Sequence, residues 1–344
     1  MTATTPSSEA RTKVIQSPAG APHARILGVG GYRPSRVVTN EQICQVIDST
    51  DEWIRTRTGI EERRWATAEE TVGVMALAAA GKALAAAGIE AEQLGCVVIS
   101  TVTHLSQTPS LAADVAHQLG AINSAAFDIS AACAGFCHGL ALAQDMVRGG
   151  SAEYVLVIGV ERLSDLTDMN DRSTAFIFGD GAGAAVVGPS QTPGIGPVVW
   201  GSDGGQLDAI GQTFDWDALR EQPDLGFPAL RMNGQQVFRW ASYQMVPVAK
   251  KALERAGITA DDLDAFIPHQ ANMRITDAMI RALKLPDHVP VARDIAKTGN
   301  TSAASIPLAM ERMLEEGEAP HGGAALLIGF GAGLVYAAQV VTLP

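Results

Sequence analysis

Apolar residues fall along this chain in short runs, parted by glycines and by capping residues, which is the rhythm of helices alternating with buried strands. Residues 24–30 (ARILGVG) are predicted to form a first strand running into a glycine turn. Thr39-Asn40-Glu41 caps a short helix, and residues 48–54 place a second cap before a helical turn. Residues 71–87 are predicted to form a long alanine-rich helix stopped by Gly88, where glycine relieves the left-handed turn that ends a helix. Residues 96–101 form a β-branched strand, and a helix starts at Pro109-Ser110-Leu111 and runs to Leu119 and Gly120. Residues 125–129 have strand character, and the small-residue segment 135–146 has that of a buried helix. The stretch 324–343 carries only Gln339 and Thr342 as polar side chains, long enough to raise a membrane span. Gly329, Gly331 and Gly333 interrupt it and no basic flank is present, so two buried strands joined by a glycine-rich turn are expected instead.

The pattern repeats. Lys82-Ala83-Leu84 through Gly88-Ile89, Ala91 and Leu94 leads into the strand at Val97; Lys251-Ala252-Leu253 through Gly257-Ile258, Ala260 and Leu263 leads into Phe266. Both Lys251 and Leu263 lie 169 positions after their counterparts, about half the chain. Each half also has a glycine turn ahead of an apolar run, at 179–187 and at 329–335. Matching helix, cap, linker and strand at one offset point to a duplicated α/β unit with its boundary near 190–197. The expected organisation is a tail at 1–23, a first half at 24–192 and a second at 193–344. The tail is rich in Ser, Thr, Ala and Pro, lacks the apolar core of a secretory signal, and is expected to be disordered. At the same offset Cys133 falls on Ser302, so both halves are expected to present equivalent strand-to-helix junctions.

Composition narrows the class. With 344 residues, 47% of them apolar and only 18% charged, the chain can bury a large interior and a subunit interface. Its net charge of −12 argues against a nucleic-acid or membrane-surface binder. Four cysteines (Cys44, Cys96, Cys133, Cys137) are too few and too scattered for a disulfide framework, and a reducing cytoplasm is the simplest setting. Cys133, Cys137 and His138 have no second ligand pair at zinc-site spacing, so no metal is expected.

Cys133 stands where the strand at 125–129 gives way to the helix from Gly135. Unpaired amides and the positive end of a helix dipole favour thiolate there, so a lowered pKa and a nucleophilic sulfur are expected. As a sequence feature alone, a small buried cysteine is the commoner outcome. His269 follows the strand of the second half, at the sheet edge where open α/β folds bind ligands. Asn300 lies in Gly299-Asn300-Thr301, and Phe330-Gly331-Ala332-Gly333 offers closely spaced amides for an oxyanion.

Taken together, Asp51-Glu52-Trp53-Ile54, Ala131-Ala132-Cys133-Ala134-Gly135-Phe136, Phe178-Gly179-Asp180-Gly181-Ala182-Gly183, Pro268-His269-Gln270-Ala271-Asn272 and Gly299-Asn300-Thr301-Ser302-Ala303-Ala304-Ser305 resemble the thiolase superfamily. Within it the chain resembles the 3-oxoacyl-[acyl-carrier-protein] synthase III family, from about residue 24 to the end. The resemblance implies a layered α-β-α-β-α sandwich of two pseudo-duplicated halves and a homodimer. It also implies a decarboxylative Claisen condensation of an acyl-CoA primer with malonyl-acyl-carrier-protein, needing no cofactor beyond its substrates. Cys133, His269 and Asn300 would form the catalytic triad, with the amides of Cys133 and Ala332 as oxyanion hole. Trp53, Arg57, Arg172, Phe238 and Asn272 would contact CoA. Arg239, Arg274 and Arg281 would dock the acidic acyl carrier protein against the chain's own negative charge. Thr108 would cap the acyl pocket of the partner subunit, its small size leaving room for longer or branched primers.

Other readings remain open to the sequence. A polyketide starter-unit synthase or an acyltransferase of the same fold shares these motifs. A papain-like hydrolase also sets a cysteine before a helix with a histidine downstream, but its local cysteine signature is absent here. A non-catalytic subunit that only binds acyl carrier protein has no need of Cys133.

Overall fold

The computed structural model describes Ile15 and residues 19–344. Most of the expected tail lies outside the described residues. Its end is ordered: the Ala21 N–H donates to Val147 O, and the first strand already begins at His23.

A five-stranded sheet runs in the spatial order His23–Tyr32, Asp180–Ser190, Tyr154–Arg162, Leu94–Ser100, Ala125–Ile129. The first two pairings are antiparallel and the last two parallel. A four-stranded sheet runs Val199–Ser202, Val335–Thr342, Ala324–Gly331, Ala265–Pro268, again antiparallel, antiparallel, parallel. Its fifth place is held by a single parallel bridge between Phe266 and Val291. One strand plan is thus used twice, and Ile195 already pairs with Val341 of the second sheet.

The two sheets face each other across helices Gly135–Gly149 and Ser305–Glu315, which share one buried apolar cluster with both sheets. Helices Val72–Ala87 and Leu111–Leu119 cover the far face of the first sheet, and Gly234–Ala256 and Met273–Leu283 that of the second. This is the expected five-layer α-β-α-β-α order. Strands covered on both faces are continuous apolar runs rather than alternating ones, as Tyr154–Arg162 illustrates.

The helix ends follow the sequence signals. Thr39, Thr50, Thr71 and Ser110 each accept a backbone N–H as N-cap. Gly88 and Gly257 close the repeated helices at φ 65° and 72°. The glycine runs differ from expectation. Gly181 and Gly183 lie inside the strand Asp180–Ser190, and Gly329 and Gly331 inside Ala324–Gly331. Their purpose is close approach: a Cβ on Gly183 would sit 2.6 Å from Pro307 of the central helix, and one on Gly331 2.9 Å from Cys133 Cβ.

The repeat also slips by one residue. Cys133 is preceded by Ala132 at φ 44°, and the equivalent backbone in the second half is Ser302 at φ 47°, followed by Ala303. Helices then start at Gly135 and Ser305. The counterpart of Cys133 is therefore Ala303, not Ser302: an extra residue separates the two units between the capped helix and the junction.

Candidate functional site

Cys133, His269 and Asn300 line one cavity of about 950 Å³. Each is delivered by backbone at the edge of a sheet. Cys133 sits in the 3-10 turn Ala132–Ala134, between the strand Ala125–Ile129 and the helix Gly135–Gly149. Holding Ala132 in the left-handed region costs about 1–2 kcal/mol. The turn is held against the second half, where Gly329 and Gly331 leave no side chain between their strand and the Cys133 turn.

The Cys133 sulfur does not have the expected lowered pKa. Burial pushes its thiol up to about 12, and the negative charge of Glu161 adds to this, while the Ser302 hydroxyl pulls the other way. The dipole argument loses because the cysteine lies one turn ahead of the helix, in surroundings that penalise charge. The resting group is a neutral thiol.

His269 directly follows the strand Ala265–Pro268; its backbone N–H donates to Ile328 O at 2.8 Å. The residue is 2% exposed, and its ring makes a T-shaped contact with Phe330, centroids 5.4 Å apart. Burial holds its pKa down at about 3, so the imidazole is neutral at working pH. Nδ1 lies 2.7 Å from Ser305 Oγ, which also accepts weakly from the Gln270 N–H at 3.4 Å. Among the described residues the Ser305 hydroxyl hydrogen has no other acceptor, so it donates to Nδ1 and leaves the proton on Nε2.

Asn300 is fixed in the same manner. Its backbone N–H donates to Ile177 O at 2.9 Å, and its Oδ1 accepts from the Ser302 N–H at 2.8 Å. That assigns the amide: Nδ2 is left as the free donor. The base of the cavity therefore combines one sulfur with two neutral N–H donors.

The rim is cationic. Arg57, Arg239 and Arg274 line the cavity, and no carboxylate does among the described residues, although the chain as a whole carries −12. Trp53 is 40% exposed, edge-on to Phe176 at 5.5 Å, with the Arg57 guanidinium 5.8 Å from its ring. The Arg274 guanidinium sits 5.0 Å from the ring of Phe238.

Other predicted residues stand apart from this ring. The Asn272 side chain lines the cavity but is engaged: its Oδ1 caps the following helix through the Arg274 N–H, and its Nδ2 donates to Arg57 O. Arg172 is exposed, 4.0 Å from Asp48, and Arg281 is exposed in the last turn of Met273–Leu283; neither lines the cavity. Ala332 is half-buried in the turn between the last two strands, beside the lining residues Gly331 and Leu334. Thr108 is exposed on a loop and does not line this chain's own cavity.

Three residues escaped the sequence reading: Ser302, Ser305 and Glu161. The serines lay inside a motif quoted for its asparagine. Glu161 had a signal of its own, a carboxylate closing the fully apolar run of Tyr154–Arg162.

Comparison with known proteins agrees with this architecture. The model of the 3-oxoacyl-[acyl-carrier-protein] synthase III C-terminal region matches residues 253–343, and that of 3-oxoacyl-[acyl-carrier-protein] synthase III matches residues 127–204. The chain is 64% identical to beta-ketoacyl-[acyl-carrier-protein] synthase III 1 of Streptomyces coelicolor over 340 residues, covering 96% of this chain and 99% of that relative. It is 63% identical to the corresponding protein of Streptomyces glaucescens, with the same coverage. Among solved structures it is similar to the priming beta-ketosynthase of the R1128 polyketide biosynthetic pathway, with TM-score 0.94 and 52% identity over 97% of this chain and 99% of that one. It is also similar to the 3-oxoacyl-[acyl-carrier-protein] synthase III of Aquifex aeolicus, with TM-score 0.85 and 39% identity over 93% and 99%.

Proposed function

This chain belongs to the 3-oxoacyl-[acyl-carrier-protein] synthase III family, and from that premise we infer how its cavity carries out the family's chemistry. The enzyme is an acyltransferase that condenses an acyl-CoA primer with malonyl-acyl-carrier-protein, releasing CoA and CO2 and initiating chain synthesis. One observation carries the assignment of residues: a thiol and two neutral, oriented N–H donors share the base of a cavity whose rim is arginine.

Cys133 attacks the thioester of the primer and holds the acyl group while CoA leaves. Malonyl-acyl-carrier-protein then enters and loses CO2, and the enolate oxygen is received by His269 Nε2–H and Asn300 Nδ2–H. Neutral donors suit this step, because negative charge develops on oxygen and no proton has to be removed from carbon. The enolate carbon attacks the Cys133 thioester, with its oxyanion held by the amides of Cys133 and Ala332. Trp53, Arg57, Phe238 and Asn272 bound the channel for the CoA arm, and Arg172 acts from outside it on the nucleotide. Arg239 and Arg274, with Arg281 further out, supply the local positive field that an acidic carrier protein needs against an acidic chain. No group of three or more metal-binding side chains occurs among the described residues.

The working unit is a homodimer of two-half subunits divided near residues 190–197. Support comes from the edge strand Ala125–Ile129, open on one side among the described residues and preceded by Ile122 at 75% exposure. Thr108, outside its own cavity, is then free to cap that of the partner. No helix of the described residues is long and apolar enough to cross a membrane, in keeping with a cytoplasmic enzyme.

Intact-mass analysis after incubation with a panel of acyl-CoAs tests the reading. A single acyl adduct on Cys133, chased by malonyl-acyl-carrier-protein, is expected. Acylation by isobutyryl- and butyryl-CoA comparable to that by acetyl-CoA is expected from the small Thr108, and acetyl-only acylation would remove that role. The similarity to a polyketide priming ketosynthase favours a second use of the same chemistry, in polyketide starter selection; a preference for longer primers points that way.

A further inference from the structure

Behind the nucleophile, on the side away from the cavity, lies a fully buried carboxylate that the chemistry above leaves idle. Glu161 is the last residue but one of the strand Tyr154–Arg162 and is 0% exposed. Its Oε2 accepts from Thr103 Oγ1 at 2.8 Å, the Val102 N–H at 3.1 Å and Thr101 Oγ1 at 3.3 Å. Among the described residues its Oε1 has one partner, the Ser302 hydroxyl at 3.1 Å. The Ser302 hydroxyl in turn pulls the Cys133 thiol towards ionisation, against the effect of burial. It belongs to the left-handed turn that packs directly on the nucleophile turn.

We propose that Glu161, acting through Ser302, takes the Cys133 proton during acylation, keeps it while the acyl group is on the enzyme, and returns it when condensation expels the sulfur. The idea rests on Cys133 being the acylated nucleophile. In the acylation step the thiol proton passes to Ser302 Oγ as the Ser302 hydroxyl proton passes to Glu161 Oε1. The sulfur forms its bond to the acyl carbon, and the bond from that carbon to the CoA sulfur breaks. CoA leaves as thiolate and takes a proton from solvent at the mouth. In the condensation step the enolate carbon bonds to the acyl carbon and Cys133 leaves as thiolate. The same two protons then move back. The sum is one proton consumed from solvent per cycle, which balances the CO2 lost from a carboxylate.

The proton passes from a thiol pushed up to about 12 to a carboxyl raised to about 7, so the transfer is uphill and accompanies attack on the thioester rather than preceding it. The pair carries one negative charge throughout, and the repulsion that adds to burial in holding the thiol neutral disappears as Glu161 becomes protonated. Burial already raises Glu161 to about 7, against four hydrogen bonds that lower it. Other charged groups nearby are turned away. Arg162 pairs with Asp165 at 3.2 Å, and Asp180, opposite Arg162 on the next strand, is bound to Ser164 and the Ala66 N–H. His269 stays neutral and faces the cavity. Glu161 touches no substrate and is a positioning residue.

The test measures single-turnover acylation of Cys133 by acetyl-CoA, read by rapid-quench intact mass from pH 5.5 to 9. Malonyl-acyl-carrier-protein decarboxylation is measured in parallel. The wild-type acylation rate is expected to fall as pH drops through about 7, where Glu161 loses its base form. E161Q and S302A are each expected to slow acylation by about 10²-fold and to abolish that inflection, while decarboxylation falls far less. S302A serves where E161Q fails to fold. Wild-type protein that takes up no acyl group removes Cys133 as nucleophile. Acylated wild type with variants of equal rate and unchanged pH profile overturns the relay alone. Equal losses in acylation and decarboxylation also overturn it, since they mark a merely structural role.

Discussion

The 3-10 turns Ala132–Ala134 and Ser302–Ala304 are built alike and used oppositely. Both open with a residue at positive φ, Ala132 at 44° or Ser302 at 47°, and both precede a buried central helix. In the first half the next residue is Cys133, facing the cavity. In the second it is Ala303, whose backbone is so close to the first sheet that a Cβ on Gly159 would sit 2.1 Å from Ala303 O. The second turn carries its chemistry on its flanks: Asn300 before it, Ser302 at its start, Ser305 after it. The two positions are equivalent in backbone and differ in side chain: on the function proposed above, one is the nucleophile and the other frames the donors. Near-symmetric backbone therefore says where a site is, and only the side chains say what each half does there.

The largest expected effect comes from emptying the first turn. Cys133→Ala is expected to abolish the acyl adduct and lower condensation by about 10³-fold or more, while malonyl-acyl-carrier-protein decarboxylation persists. Product release and CO2 release, measured on the same sample, separate the two. Changing the second half inverts the pattern. His269→Ala or Asn300→Ala is expected to reduce decarboxylation by about 10²–10³-fold, with the acyl adduct still forming. An adduct lost in these variants would mean that the halves do not divide the work. The neutral His269 also predicts a pH profile. Decarboxylation in the Cys133→Ala protein is expected to be flat from pH 6 to 8, because a histidine held down near 3 does not titrate there. The same shift makes the fold lose stability as pH falls below about 6.5, where the unfolded histidine gains a proton that the folded one refuses.

A packing change should be next in size. Gly159→Ala drives a Cβ into Ala303 O and is expected to cost about 1–3 kcal/mol, seen as a lower thermal midpoint. The smallest effect sharpens the comparison most. Ala303→Cys restores a sulfur at the symmetric position, yet Ala303 is 1% exposed and lines no part of the cavity. Iodoacetamide is expected to label Cys133 and leave the introduced thiol unmodified; equal labelling would show the two turns to be interchangeable.

Much of this is legible in the chain. The capped helices and buried strands stand in local residue patterns, because caps, glycine stops and apolar runs act over a few residues; the doubled unit shows as a constant offset, and the candidate triad came from the resemblance to a family. Sequence reasoning fails where the cause is distant. A constant offset pairs Cys133 with Ser302, since a one-residue insertion leaves no local mark. The glycine runs look like turns along the chain, although they serve contacts with Pro307 and Cys133 from the other half.

What the sequence determined alone was the order of elements, which depends on neighbours along the chain, and, through its resemblance to a family, which side chains to expect together. Tertiary structure decided the protonation states: a thiol pushed up to about 12, an imidazole held near 3 and a carboxyl raised to about 7. Ionisation depends on how much water and which charges surround a group. In this fold those surroundings are assembled from residues more than a hundred positions apart.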